Sequence, residues 1–335
     1  MISIVICHRS PVLLERISKN ISLSIGVEFE LIIVDNTEND YTILSAYNEG
    51  VRRSNFGLIC FTHEDVLFYT QDWGKNVINH FDDPGTGMIG VTGGMAQSIV
   101  PGAWWYNHYF GKGATHLLMS STKKPGEDLE LYYNNPNRDE SRCPAAIIDG
   151  LWFCIRKTLF EKISFDEKTY GGFHLYDADI SMQVGMYANK YVVYDILMQH
   201  VWSATINMHY FDELNKFALK WRQLLPVQVA GLRNNYAHIL GWHSLRAVVL
   251  DMLSNNIAKR EILDLINDYR PLLNKNYKSH WFNLYFFLSK YVGYKFVNRI
   301  FIPLEKISGF KKSLEYTKTK YVAHPSLIHM GETVN

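Results

Sequence analysis

No uninterrupted apolar stretch in the chain reaches the ~20 residues that cross a bilayer, so the sequence offers no candidate membrane span. Cysteine is scarce: Cys7, Cys60, Cys143 and Cys154 are the full set, and no two stand in a C-x-x-C pair. That spacing argues against a disulfide framework and for buried free thiols in a reducing compartment. Net charge is scarce too, with 34 Lys and Arg against 33 Asp and Glu. This balance excludes a global electrostatic attraction to nucleic acid, and no nucleic-acid partner is expected. No G-x-G-x-x-G follows a strand-like run, which disfavours a dinucleotide-dependent dehydrogenase. An apolar run opens at Ile2 and leaves no room for the charged, apolar and cleavage regions of a secretory leader, so the expected location is cytoplasmic. No internal repeat is present.

What the chain does have is enough apolar sequence for a sizeable core, 47% of 335 residues, in one large domain or two smaller ones. Aromatics reach 14%, a weak pointer to carbohydrate or a membrane surface. Short runs rich in β-branched residues alternate with helix-like segments over the first two-thirds. Strands are expected at 2–7, 29–34, 57–62, 88–92, 145–154 and 191–197, and helices from Ser10-Pro11 and over 40–53, 73–81, 156–163 and 178–187. The strands are continuously apolar rather than alternating, the pattern of a mostly parallel α/β sheet covered on both faces. From Pro101 to Pro144 the periodicity fails, and a functional loop or lid is expected. Beyond His200 the chain reads as helical.

In open α/β sheets, ligands bind beyond the carboxyl ends of the strands. Three polar groups fall there: His8-Arg9 after the first run, Asp35-Asn36 after the second, and His63-Glu64-Asp65 inside "GLICFTHEDVLF". Singly, Asp35-Asn36 reads as a turn or helix cap and His8-Arg9 as solvated residues. Together they would form a crevice holding a cation, acids and a metal ligand, which suits a nucleotide diphosphate.

"ISIVICHRSP", "ELIIVDNTEND", "AYNEGVRRS" and "GLICFTHEDVLF", in this order, resemble the nucleotide-binding half of the inverting family-two glycosyltransferases. "DGLWFCIRKTLFEKISFDEKTYGGFHLYDADISMQVGMYANKYVVYDILMQHVW" resembles their acceptor half. The resemblance spans residues 1–205 and implies the α/β nucleotide-diphospho-sugar transferase fold called GT-A, with a mostly parallel central sheet, followed by a helical region at 206–335. It implies a nucleotide-sugar donor, a UDP-sugar first, held by His8, Arg9, Asp35, Asn36, Asn48, His63, Glu64, Gly93, Gly94 and Asp149. Asp65 stands where the family's D-x-D carboxylate binds a divalent cation. His63 replaces the first acid, and that imidazole tilts the expectation from Mg2+ toward Mn2+. His200 would complete the metal shell; the bland reading is a capped core histidine.

In "FHLYDADISMQ", a carboxylate at a helix start caps free N–H groups, which explains one of Asp177 and Asp179. The resemblance assigns Asp177 to the general base, with Tyr176 before it where the family more usually has Glu. His174 and Asp179 would support the acceptor, as would Trp104 and Trp105 by stacking on a pyranose face. The tryptophans could equally pack under their loop, and Asp149-Gly150 could be a tight turn.

The expected activity is therefore metal-assisted, inverting transfer of a sugar to a saccharide or lipid-linked saccharide acceptor, as in surface polysaccharide synthesis. A non-catalytic sugar-nucleotide-binding relative is the alternative, kept open by the altered D-x-D. A sugar-1-phosphate nucleotidyltransferase is disfavoured because "CHRSPVLLER" supplies no Gly-rich phosphate loop. Residues 271–320 carry ten Lys or Arg and two Glu among twelve aromatics. They read either as a peripheral contact with the inner membrane face or as a helical appendage with a solvated basic face.

Overall fold

The first strand, β1 (Ile2–His8), shows how the sheet is made: six of its seven residues are buried, so both of its faces are covered. The computed structural model describes residues 1–120, 129–138, 141–201, 208–234, 236–255, 257–273 and 319–320. Helix α1 (Pro11–Ser24) follows β1, begun by the Ser10 hydroxyl accepting from Leu13 N–H and by Pro11 at the first helical position. Next come β2 (Phe29–Asp35) and α2 (Ile43–Arg53), the helix opened by a reciprocal Thr42–Ser45 capping box. The apolar residues on either side of His63-Glu64-Asp65 form separate strands, β3 (Leu58–Thr62) and β4 (Val66–Phe68), ahead of α3 (Trp73–Phe81).

The expected single strand at 88–92 is two, β5 (Thr86–Gly90) and β6 (Thr92–Gly94), followed by β7 (Ala96–Gln97). The stretch expected as an irregular lid contains a 3-10 turn, Trp104–Phe110, and an antiparallel hairpin of β8 (Gly113–Ser120) and β9 (Leu129–Asn134). Its polar and apolar residues share strands, which hides the period. β10 (Arg142–Pro144), β11 (Ile147–Ile148) and β12 (Trp152–Arg156) come next, with the turn at Asp149-Gly150 dividing what reads as one run. The helix expected over 156–163 is only a 3-10 turn, Lys157–Glu161, because Ile163 and Phe165 leave the helical path to enter the core. Then follow α4 (Tyr176–Val184), β13 (Asn189–Val193) and β14 (Met198–Val201).

The central sheet has the order β10-β13-β5-β12-β3-β1-β2. The pairings make β2, β1, β3, β5 and β13 run one way and β12 and β10 the other, so the sheet is mostly parallel as expected. On one face Phe68 stacks on Trp73 at 4.1 Å, and Trp152 stands perpendicular to Trp73 at 6.1 Å. On the other, Tyr47, Phe61, Phe153 and Phe165 form an aromatic cluster with Phe61 and Phe153 stacked at 5.1 Å. Aromatic pairs of this kind add ~0.5–1.5 kcal/mol beyond burial. A second sheet, β11-β6-β8-β14-β4, completes this part of the chain. All four cysteines are free, and burial pushes the Cys7 thiol up to about 11.

The chain divides into two compact units, Met1–Met95 with Ala114–Thr205 and Tyr316–Asn335, and Ala96–Gly113 with Ile206–Glu315. Within the second, β7 pairs with β15 (Val227–Gln228), and the helices are α5 (Met208–Lys220), α6 (Tyr236–Ser254) and α7 (Lys259–Tyr269). Its core gathers Ala96, Ala103, Tyr106, Tyr236, Ala237 and Leu240. Among the described residues, no helix is long and apolar enough to cross a membrane. Apart from 271–273 and 319–320, the basic aromatic segment 271–320 lies outside the described residues.

Candidate active site

Register brings the polar strand ends together. His8 is paired with Asp35 and Ile6 with Thr62, so the residues following β1, β2 and β3 emerge at one edge. The short strand β4 explains why apolar residues resume after Asp65. It pairs with β14 so that His200 stands opposite Val66, and this places His200 beside Asp65 from the far end of the first unit.

The result is a cluster of His63, Asp65 and His200 whose ligand atoms all lie within 4.8 Å of one another. His200 Nε2 is 3.5 Å from Asp65 Oδ1, and the imidazoles of His63 and His200 are 5.8 Å apart. Donors sharing one ion at ~2.0–2.6 Å can be no more than about twice that distance apart, so these three fit a divalent cation. Burial, reinforced by His200 and opposed by Asp65, holds the His63 imidazole down at about 4. The ring is therefore neutral at neutral pH, the form that ligates metal.

Asp177 sits in the first turn of α4, a helix that begins directly after Leu175, which adopts a left-handed φ of 62°. A non-glycine residue is held there only when its surroundings over-determine it. Asp177 Oδ1 accepts from Ala178 N–H at 2.8 Å and Oδ2 from Gly150 N–H at 3.0 Å. Burial first, and the Asp149 carboxylate second, push the Asp177 carboxyl up to about 7 against those two N–H groups. Tyr176 donates its hydroxyl to the Gly150 carbonyl at 3.0 Å and lies 2.7 Å from His63 Nε2. A β-carbon on Gly150 would meet the Tyr176 hydroxyl at 2.1 Å, so only glycine leaves room for this link. Asp177 is thus joined to the histidine–aspartate cluster through Gly150 and Tyr176.

The other expected site residues have varied surroundings. His8 is buried with Nε2 3.6 Å from Asp35 Oδ1, while its Nδ1 is buried without a hydrogen-bond partner. Asp35 is exposed, and the Thr37 backbone N–H holds its carboxyl below the ordinary value. Arg9 is exposed, and its backbone N–H donates, with that of Ser10, to Glu64 Oε2 at 3.1 and 3.0 Å. Glu64 thus ties the start of α1 to the loop after β3. Asn36 closes a loop onto both backbone groups of Tyr41, and Asn48 binds both backbone groups of Phe165. Asp179 is buried and accepts from Tyr170 and Gln183. Gly93 lies where β6 approaches β11, and a β-carbon there would meet Ile147 O at 2.3 Å. Gly94 pairs with Ile147 in the same ladder. Asp149 holds the turn by accepting from Leu151 N–H at 2.9 Å. His174 is half-buried beside Phe173.

Trp104 and Trp105 belong to the second unit. Trp105 stacks on Tyr210 at 6.2 Å, and Asn107 anchors the turn through Ala96 and Trp104 backbone groups. Tyr176, which the sequence marks only as a departure from the family pattern, takes its contacts from the Gly150 turn, and one residue near the cluster, Arg16, is not singled out by sequence patterns at all. Arg16 Nε is buried without a hydrogen-bond partner. Burial lowers its guanidinium's ordinary value while the Asp65 charge opposes that. On an amphipathic helix a half-buried Arg carries no distinguishing signal.

The family model described as glycosyltransferase like family matches residues 3–220. No curated protein matches the chain. Among solved structures, the chain is similar to A197 from STIV at 11% identity, with 60% of this chain and 86% of that one covered and a TM-score of 0.36. It is similar to GalNAc-T7, solved with UDP, GalNAc and Mn2+, at 11% identity, with 61% and 43% covered and a TM-score of 0.41. It is also similar to the mannosyltransferase PcManGT from Pyrobaculum calidifontis, solved with GDP-Man and Mn2+, at 12% identity, with 90% and 87% covered and a TM-score of 0.44.

Proposed function

The chain belongs to the glycosyltransferase like family, and from that premise we propose that it moves a sugar from a nucleotide-sugar donor to a saccharide or lipid-linked saccharide acceptor with inversion. The observation that carries this reading is the connection of a half-buried carboxylate, Asp177, to the His63–Asp65–His200 cluster at the carboxyl edge of parallel strands. Residues 1–205 are the catalytic domain in this reading, and 206–335 an accessory helical region.

Asp177 acts as the general base. Its carboxyl is raised toward neutrality, where a base combines availability with basicity. Two backbone N–H groups fix its plane and leave the remaining lone pairs to take the proton of an acceptor hydroxyl. As that oxygen bonds to the anomeric carbon, the bond to the nucleoside diphosphate breaks on the opposite face, so one displacement inverts the centre and no covalent enzyme intermediate forms. His63, Asp65 and His200 would hold a divalent cation, which supplies charge neutralisation at the departing diphosphate. Two imidazoles beside a single carboxylate favour Mn2+ over Mg2+. In this reading Asp35 meets the base or ribose, and His8 or Arg9 the phosphates; the exposure of Asp35 and Arg9 supports it.

Thermal unfolding with UDP-, GDP- and dTDP-sugars, with and without Mn2+, tests donor binding, because a ligand of the folded state raises the midpoint. The expected result is a shift for one nucleotide class, UDP first, that grows with Mn2+, followed by a product of inverted anomeric configuration by proton NMR. No shift with any sugar nucleotide, or a retained configuration, overturns the proposal. A shift without turnover under any acceptor favours a binding module instead.

A further inference from the structure

We propose that Tyr176 is a positioning residue that selects the tautomer of His63, so that Nδ1 of His63 is the nitrogen left to bind metal. The inference rests on the metal reading above and goes beyond it in naming the atom and the residue that controls it.

A phenol hydroxyl has one proton to donate, and a carbonyl oxygen can only accept. Tyr176 Oη lies 3.0 Å from the Gly150 carbonyl and 2.7 Å from His63 Nε2. With its proton given to Gly150, the hydroxyl faces His63 as an acceptor, so Nε2 of the imidazole must be the protonated nitrogen. A neutral imidazole has one N–H, and Nδ1 therefore carries the lone pair. The alternative tautomer would set two acceptors against each other at the shorter of the two distances unless the Tyr176 proton abandoned Gly150. The turn keeps the Gly150 carbonyl in place to take that proton, since Gly150 is also held from its N–H side by Asp177 at 3.0 Å. A ligating histidine whose second nitrogen is oriented in this way binds metal more tightly, and loss of the orienting partner weakens affinity or activity ~10–100-fold.

The wild-type full chain, labelled with 15N-histidine, reports the tautomer directly by long-range proton–nitrogen correlation, with the His63 signals assigned by their absence in His63→Gln. The expected spectrum shows a protonated Nε2 and an unprotonated Nδ1, and a protonated Nδ1 overturns the inference. Mn2+ titration followed by the EPR signal of the free ion is the second measurement. Tyr176→Phe is expected to bind Mn2+ ~10–100-fold more weakly than wild type while its circular dichroism spectrum is unchanged. If wild type binds Mn2+ and the variant binds it equally, the positioning role fails and the functional reading stands. If wild type binds no Mn2+, the metal reading itself fails, whatever the variant does. Should the variant not fold, the wild-type tautomer decides the matter alone.

Discussion

His200 Nε2 lies 3.5 Å from Asp65 Oδ1, although the two residues are carried by strand ends remote from each other along the chain. The pairing of β14 with β4 creates this proximity. It follows that each residue depends on the other's strand for its place, and that both should govern the same property. His200→Ala and Asp65→Asn are expected to weaken Mn2+ binding by at least the ~10–100-fold associated with losing an outer-shell partner. Isothermal titration checks this; unchanged affinity in both variants would remove the cluster from metal binding.

The position of Asp177 makes a prediction in pH. Its folded carboxyl is raised to about 7 by burial and by Asp149, above the ~3.9 of an unfolded aspartate. The folded state therefore binds more protons than the unfolded state between those values, and stability must fall as pH rises across about 4 to 7 and level off above. Activity has the opposite sign, because the base works only when ionised: kcat/KM is expected to climb through neutrality. Denaturant midpoints of wild type and Asp177→Asn compared from pH 5 to 8 should diverge as the wild type loses stability; parallel curves would contradict the shift.

Asp35 is exposed and supports no core packing. Asp35→Ala is expected to weaken donor binding by roughly 10–160-fold, the equivalent of the ~1.5–3 kcal/mol of a hydrogen bond to a charged group, and to move stability by less than ~0.5 kcal/mol. Nucleotide titration and thermal melts together check it. A loss of stability without a loss of affinity would assign Asp35 to its turn with Thr37 instead.

Gly93 separates packing from chemistry. A methyl group there meets the Ile147 carbonyl at 2.3 Å, and a backbone atom cannot swing aside. Gly93→Ala is expected to cost about 1–3 kcal/mol, the range of overpacking, seen as a lowered denaturant midpoint. Wild-type stability would show that β6 and β11 separate without penalty.

Much of this arrangement is legible in sequence because burial leaves a mark. Ile2–His8, Phe29–Asp35 and Leu58–Thr62 are largely apolar runs, and such runs end where strands meet solvent, so His8, Asp35 and Asp65 stand out at or just beyond their ends. The edge that gathers them follows from parallel pairing. Other features are set by tertiary contact and leave no periodic trace. Glu64 reads as part of an acidic pair, yet its carboxylate accepts from the N–H groups of Arg9 and Ser10, partners fixed only when β3 lies beside β1. Tyr176 reads as a departure from the family pattern, and its meaning depends on the Gly150 turn that sits against it. The hairpin of β8 and β9 is hidden because Thr115, His116 and Tyr133 interrupt its apolar residues. Lys157–Glu161 carries a helical pattern that stops at a 3-10 turn, because Asn48 holds both backbone groups of Phe165.

The most direct test of the account is sugar transfer by Asp177→Asn measured beside sugar-nucleotide binding by the same protein. Loss of a general base lowers turnover ~10²–10⁴-fold, and the account predicts that fall with donor affinity within a few-fold of wild type. Turnover equal to wild type, with the donor still bound, would contradict it.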